Sequence, residues 1–213
     1  MPAKRTTRAA GLVTMLECAP YKALCAEFAA FRIDAIIQLL EKNKDKGRIL
    51  GFVRGLRLSA QLIYQIRDIL SGSGLRADWG HLVDEDTSLC SPECDIIIYD
   101  GTYKRRWNNN DEPVMDFRFV EYSHAKAVIS CKSYLTRIDT DYPRTLRRYV
   151  KQVWLFAECC PRGKENILRL KARKAGYKGF YYLYPWDGKG SFEPNEDGWI
   201  SFSQALQSLR PKK

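Results

Sequence analysis

The spacing of hydrophobic positions changes several times along the chain, and each change marks an element. From Pro20 the apolar residues Leu24, Phe28, Phe31, Ala35 and Leu39 recur at helical intervals, until the polar run Glu41 to Gly47 interrupts them. A second helical stripe follows at about Leu50 to Leu70, carried by Phe52, Leu56, Ile63, Ile66 and Leu70, with Arg54, Arg57 and Gln61 on the other side. Ser71-Gly72-Ser73-Gly74 then breaks the chain. Beyond it the helical period is lost: Leu75 to Val83 reads as extended, and the cluster Asp84 to Ser88 as a hairpin tip.

The next run, Asp95-Ile96-Ile97-Ile98-Tyr99-Asp100, is continuously apolar between two acids, as in a strand buried on both faces with its ends at the rim. Residues 101 to 116, with Lys104-Arg105-Arg106, three consecutive asparagines and Pro113, read as an exposed loop. Two strands are expected at Phe117 to Glu121 and Lys126 to Lys132, the second placing a lysine at the end of a buried run. From about Tyr142 to Cys160 the pattern predicts a helix, with Leu146, Val150, Val153, Trp154 and Ala157 on one face. Arg144, Arg147, Arg148 and Lys151 fall on its other face. A basic segment Lys164 to Lys178, a strand Gly179 to Tyr184 and a short helix near Ser201 to Leu209 complete the chain, which has no internal repeat.

Composition sharpens this picture. With 213 residues and 45% hydrophobic content, one sizeable core is expected, so residues 19–213 read as a single α/β domain and residues 1–18 as a basic flexible arm. A net charge of +10 favours a polyanionic partner, because cations placed against phosphates release counterions; nucleic acid leads, and simple solubility is the alternative. The candidate phosphate contacts are Arg144, Arg147, Arg148 and Lys151, together with Lys104, Arg105 and Arg106. Seven cysteines without a disulfide spacing and only two histidines argue for reduced thiols rather than a zinc site, and hence for a cytoplasmic setting. No apolar run is long enough to span a bilayer, so no membrane partner is expected.

The chemistry sits at two strand ends. Metal-assisted phosphodiester cleavage needs a carboxylate for a hard divalent cation, usually a second carboxylate, and a lysine near the developing charge. Asp95 and Lys132 supply one of each. The stretches Ser91-Pro92-Glu93-Cys94-Asp95-Ile96-Ile97-Ile98-Tyr99-Asp100 and Val128-Ile129-Ser130-Cys131-Lys132-Ser133 resemble the PD-(D/E)XK nuclease superfamily. That resemblance implies a restriction-endonuclease-like α-β-β-β-α-β core, a mixed central sheet flanked by helices, here with an extra N-terminal helix. It further implies Asp95 on Mg²⁺ or Mn²⁺, the Cys131 carbonyl completing the metal shell, Lys132 as catalytic lysine, and DNA as substrate. Restriction, phage defence or repair in a prokaryotic cell is the implied setting, with a homodimer or a partner subunit.

Two departures are visible. Ser130 stands where the superfamily has an acid, and Gly51 to Arg67 contains no acid at all. A migrated ligand is then expected, with Glu121, Asp139, Asp141 and Glu158 as candidates. The competing reading is a catalytically degenerate nuclease fold, a DNA-binding or assembly subunit acting with a partner protein. At the residue level the plain alternative is that Asp95 bonds backbone amides and Lys132 pairs with Asp95 or Asp100.

Overall fold

A computed structural model describes residues 21–34, 37–38, 42, 44–101, 105–106, 117–188 and 192–211. The arm 1–18, Lys104 and most of the 101–116 loop lie outside the described residues. In chain order come helix α1 (21–33), α2 (Lys44–Ile69), β1 (Arg76–Asp84), β2 (Leu89–Cys90), β3 (Cys94–Tyr99), β4 (Arg105–Arg106) and β5 (Phe117–Glu121). Then follow β6 (Ala125–Tyr134), α3 (Asp141–Leu146), β7 (Val153–Pro161), α4 (Glu165–Ala175), β8 (Gly179–Trp186) and α5 (Glu196–Gln207).

The strands form one mixed sheet in the order β4-β5-β1-β3-β6-β7-β8, with β2 folded back on β1. β1 runs antiparallel to β3 and β3 antiparallel to β6, whereas β6, β7 and β8 are parallel. Helices cover both faces. On the first, Leu24 and Phe28 of α1, Leu58, Leu62 and Ile66 of α2, and Trp199, Phe202 and Leu206 of α5 pack on Ile96, Ile98, Ile129 and Phe156. On the second, Leu146 of α3 and Leu168 and Ala172 of α4 pack on Ile97, Val128, Leu155 and Phe180. The two burial sets alternate through Ile96 to Tyr99, Ala127 to Ile129 and Val153 to Ala157, as side chains do along a strand.

The hairpin expected at Asp84 to Ser88 is present: Val83 pairs with Cys90 and Asp84 with Leu89, and Ser88 takes φ 55° to close the turn. Where β1 crosses β3 the register slips between Asp78 and Gly80. Gly80 has φ 155°, and a Cβ there would lie 1.8 Å from the Arg118 carbonyl oxygen, so only glycine lets β5 approach β1.

One expectation is overturned. The predicted helix from Tyr142 to Cys160 is a six-residue helix, a turn, and the strand β7. Its last part, Val153-Trp154-Leu155-Phe156-Ala157-Glu158-Cys159-Cys160, is buried at every position. A central parallel strand must be apolar on both faces, and such a run mimics a buried helix in periodicity. Arg144, Arg147, Arg148 and Lys151 therefore do not share one helical face. All four are nevertheless exposed. The basic segment Lys164 to Lys178, in turn, supplies the helix α4. Within the expected loop, Arg105 and Arg106 form β4 and pair with Phe119 and Arg118. Among the described residues no helix is long and apolar enough to cross a membrane.

Candidate active site at the parting of two strands

β3 and β6 pair from Tyr99↔Ala125 to Ile96↔Ile129, and there the ladder ends. The first backbone donor it leaves unpaired is the N–H of Cys131, which donates to Asp95 Oδ2 at 2.8 Å. A carboxylate thus takes the place of a ladder acceptor, which is why an acid is tolerated in a largely buried position. A strand residue directs its N–H and C=O toward the same neighbour, so the Cys131 carbonyl also faces the β3 side.

Alternation places the rest. Ile97 and Tyr99 belong to the second face of the sheet, and so does Val128. Asp95, Ser130 and Lys132 therefore project to that same face, beneath α3 and α4. The structure brings together the two residues that sequence spacing had paired. The Cys131 side chain points the other way, into the α2 side of the core, where burial pushes its thiol well above the ordinary value and makes it a packing group.

Burial also pushes the Asp95 carboxyl above its ordinary value, and the charge of Glu93 adds to this; the Cys131 N–H, the Lys132 charge and the Ser130 hydroxyl oppose it. Lys132 is exposed, so its ammonium reaches solvent beside the carboxylate. It does not close the alternative pair with Asp100, which is held instead by Lys126 Nζ at 2.6 Å and His124 Nδ1 at 3.0 Å.

Two tyrosines that sequence reasoning passed over complete the site. Tyr142, on the first turn of α3, donates from its hydroxyl to the Glu93 carbonyl at 3.1 Å. Its phenol is raised by burial and by the nearby Cys94 and Asp95. Tyr177, just past the α4 C-cap, is 3% exposed, and its hydroxyl has no hydrogen-bond partner among the described residues. That phenol feels the charges of Asp139 and Asp95 and the Ser130 hydroxyl, which locates it over the site. The Ser130 hydroxyl is its nearest polar neighbour on that face. The only signals in sequence were an aromatic after an Asx turn and one after a helix-ending glycine.

The candidate replacement acids separate. Glu158 lies on β7 rather than on a helix, and its side chain is 2% exposed on the opposite face, where Arg32 Nε reaches Oε1 at 2.9 Å and the Tyr184 hydroxyl at 2.7 Å. It is sealed away from Asp95. Glu121 is in register with Val83, at the far end of β5. Two strand spacings and the offset along β1 put it roughly 16 Å from Asp95 at ~3.3 Å per residue and ~4.8 Å per strand. Asp139 is exposed on the Asp95 side and accepts the Asp141 and Tyr142 N–H groups at 2.9 and 3.2 Å through one oxygen. Asp141 is exposed and pairs with Arg144 at 3.5 Å. Glu93 is exposed and accepts from Trp79 Nε1 at 2.8 Å. Among the described residues no three His, Cys, Asp or Glu side chains converge closely enough to hold a metal by themselves.

The sheet order, the helices on both faces and the site at the end of β3 and β6 define a restriction-endonuclease-like fold. Comparison with solved structures gives the same answer. The chain is similar to the P. aeruginosa ATCC27853 NucC in its cAAA-bound form, with a TM-score of 0.56 and 10% identity over 92% of this chain and 91% of that one. It is also similar to the cAAA-bound form of E. coli MS115-1 NucC, with a TM-score of 0.52 and 12% identity over 92% and 90%. No protein-family profile matches the chain, and no curated protein matches it in sequence.

Proposed function

We propose that this chain is a metal-dependent DNA endonuclease that hydrolyses phosphodiester bonds at the parting of β3 and β6. The observation that carries the reading is the Asp95 carboxylate, pinned by the Cys131 N–H on the face where Lys132 meets solvent. The fold shared with the two NucC structures supports it.

The donor set suits a hard cation such as Mg²⁺ or Mn²⁺ only in part. Mg²⁺ typically takes one or two carboxylates plus water and substrate phosphate, and Asp95 with the Cys131 carbonyl supplies a minimal protein share. The buried Tyr177 hydroxyl, without a hydrogen-bond partner among the described residues, is a further polar group near Asp95. When bound there, the ion supplies Lewis-acid stabilisation of phosphate charge and acidifies water. Asp95 holds its carboxylate in place through the Cys131 bond and offers its other oxygen. Lys132 places a cation against the attacked phosphate, and Tyr177 donates a hydrogen bond to an oxygen held above Asp95. With Ser130 neutral, Asp139 and Glu93 are the acids placed to supply a second carboxylate. Arg144, Arg147, Arg148, Lys151, Lys104, Arg105 and Arg106 are assigned to the phosphate backbone.

The test is nicking and linearisation of supercoiled plasmid with Mg²⁺ or Mn²⁺, with and without cAAA, using the wild type, Asp95→Ala and Lys132→Ala. Cleavage abolished in both variants supports the reading. Cleavage that survives in both variants locates the activity elsewhere. A second reading, a DNA-binding fold that has lost cleavage, is favoured by Ser130; it predicts salt-dependent DNA binding and an intact plasmid under every condition.

A further inference from the structure

The sequence contains two basic segments, 144–151 and 164–178, and the fold joins them. Arg147 Nη2 donates to the Gly176 carbonyl at 3.3 Å, and the Lys178 N–H donates to the Val153 carbonyl at 2.8 Å. Gly176, at φ 112°, ends α4, and a Cβ there would lie 2.2 Å from the Arg147 guanidinium, so the absence of a side chain is what seats that arginine. The result is a cavity of about 670 Å³ at the free edge of β8, between the end of α4 and the start of α5. Arg147, Arg169, Arg173 and Lys178 line it, and Asp197 is its one acid.

Several features set it apart from an ordinary solvated surface. Arg169, Arg173 and Lys178 are exposed, and none makes an ion pair among the described residues. Arg169 and Arg173 stand one helical turn apart, a like-charge spacing that weakens a helix unless an anion relieves it. Glu196, next to Asp197, is already paired with Lys22 at 3.0 Å. Tyr181 gives the wall an aromatic face.

Its position matters as well. Register carries Ser130 to Leu155 and Leu155 to Phe180, so the cavity lies level with Asp95 across the sheet. Three strand spacings of ~4.8 Å separate them by about 14 Å.

We infer that this cavity is a phosphate seat for duplex DNA, built from Arg147, Arg169, Arg173 and Lys178, that holds the backbone to one side of the bond at Asp95. The inference rests on the nuclease reading for its register and on the cavity itself for its binding. It extends the DNA-facing surface to α4 and the β8 edge.

The experiment is fluorescence anisotropy of a 24-base-pair duplex in EDTA at salt between 50 and 200 mM. It compares the wild type, Asp95→Ala, the triple variant Arg169→Ala/Arg173→Ala/Lys178→Ala, and the triple Arg169→Lys/Arg173→Lys/Lys178→Arg. Each lost phosphate contact lowers the slope of log K against log salt by about 0.9, so the alanine triple loses about 2.7. Across that salt range the wild type then sheds about 40-fold more affinity than the variant. The charge-keeping triple retains the slope, and equal melting temperatures show that all variants are folded. An alanine triple with the wild-type slope overturns the inference. Plasmid cleavage is scored separately: a wild type that binds with the full slope but cuts nothing defeats the nuclease reading and leaves the phosphate seat standing.

Discussion

Removing the Arg32 guanidinium should destabilise the fold far more than it alters any metal-dependent step. Arg32 is 7% exposed, and it bonds Glu158 Oε1 through Nε and the Ser133 carbonyl through Nη2, both at 2.9 Å. Its guanidinium also lies 5.5 Å from the Tyr134 ring and 5.9 Å from the Trp186 ring. Arg32→Ala leaves Glu158, 2% exposed, with the Tyr184 hydroxyl as its remaining hydrogen-bond donor among the described residues and its charge without the Arg32 partner. Breaking a buried pair from one side typically costs about 3–5 kcal/mol. For a domain of this size each kcal/mol moves Tm by about 2–4 °C, so the expected fall is about 6–20 °C. The assay is thermal unfolding followed by circular dichroism, in EDTA and again in Mg²⁺, with the same fall in both. Arg32→Met/Glu158→Gln should recover part of the loss, because no charge is then left buried. An Arg32→Ala protein melting within about 2 °C of wild type would show that Glu158 is not sealed as described. So would a double variant no more stable than the single one.

Three further outcomes follow from the site and the sheet. Burial raises the folded-state pKa of Asp95, so its contribution favours folding below the ordinary value of 3.8 and is lost as pH rises through the raised value. Asp95→Asn should therefore melt higher than wild type at pH 7, with the gap closing as the pH approaches 4; a lower Tm at pH 7 contradicts the burial argument. Ser130→Asp restores a carboxylate facing the Asp95 side, and should tighten Mn²⁺ binding by titration calorimetry while lowering Tm in EDTA through charge repulsion. Unchanged calorimetry would place the metal elsewhere. Gly80→Ala meets the Arg118 carbonyl and keeps an unfavourable φ, which should lower stability by about 1–3 kcal/mol or more, read as a shift of the urea midpoint at constant slope.

Much of the fold follows from local pattern. The acid-bounded run of β3 and the bounds of β5 match their elements nearly to the residue, because one or two buried faces impose a period on the sequence. The expected α2 stripe holds only at Ile63, Ile66 and Leu70, since Phe52 is exposed and Arg54, expected on the polar side, is buried. Asp95 and Lys132 were legible for a related reason: a charge at the end of a buried run must find the rim. Tertiary structure decided what period alone does not distinguish. Val153 to Cys160 is a strand because β6 and β8 flank it and satisfy its backbone, a condition written in residues far away in the chain. Glu158 is neutralised by Arg32, 126 positions earlier, so no local signal marks it as structural rather than catalytic. The basic cavity likewise unites Arg147 with Arg169, Arg173 and Lys178 only after β7 and β8 pair. Period and burial act on neighbours in sequence, whereas charge pairing and strand order act on neighbours in space.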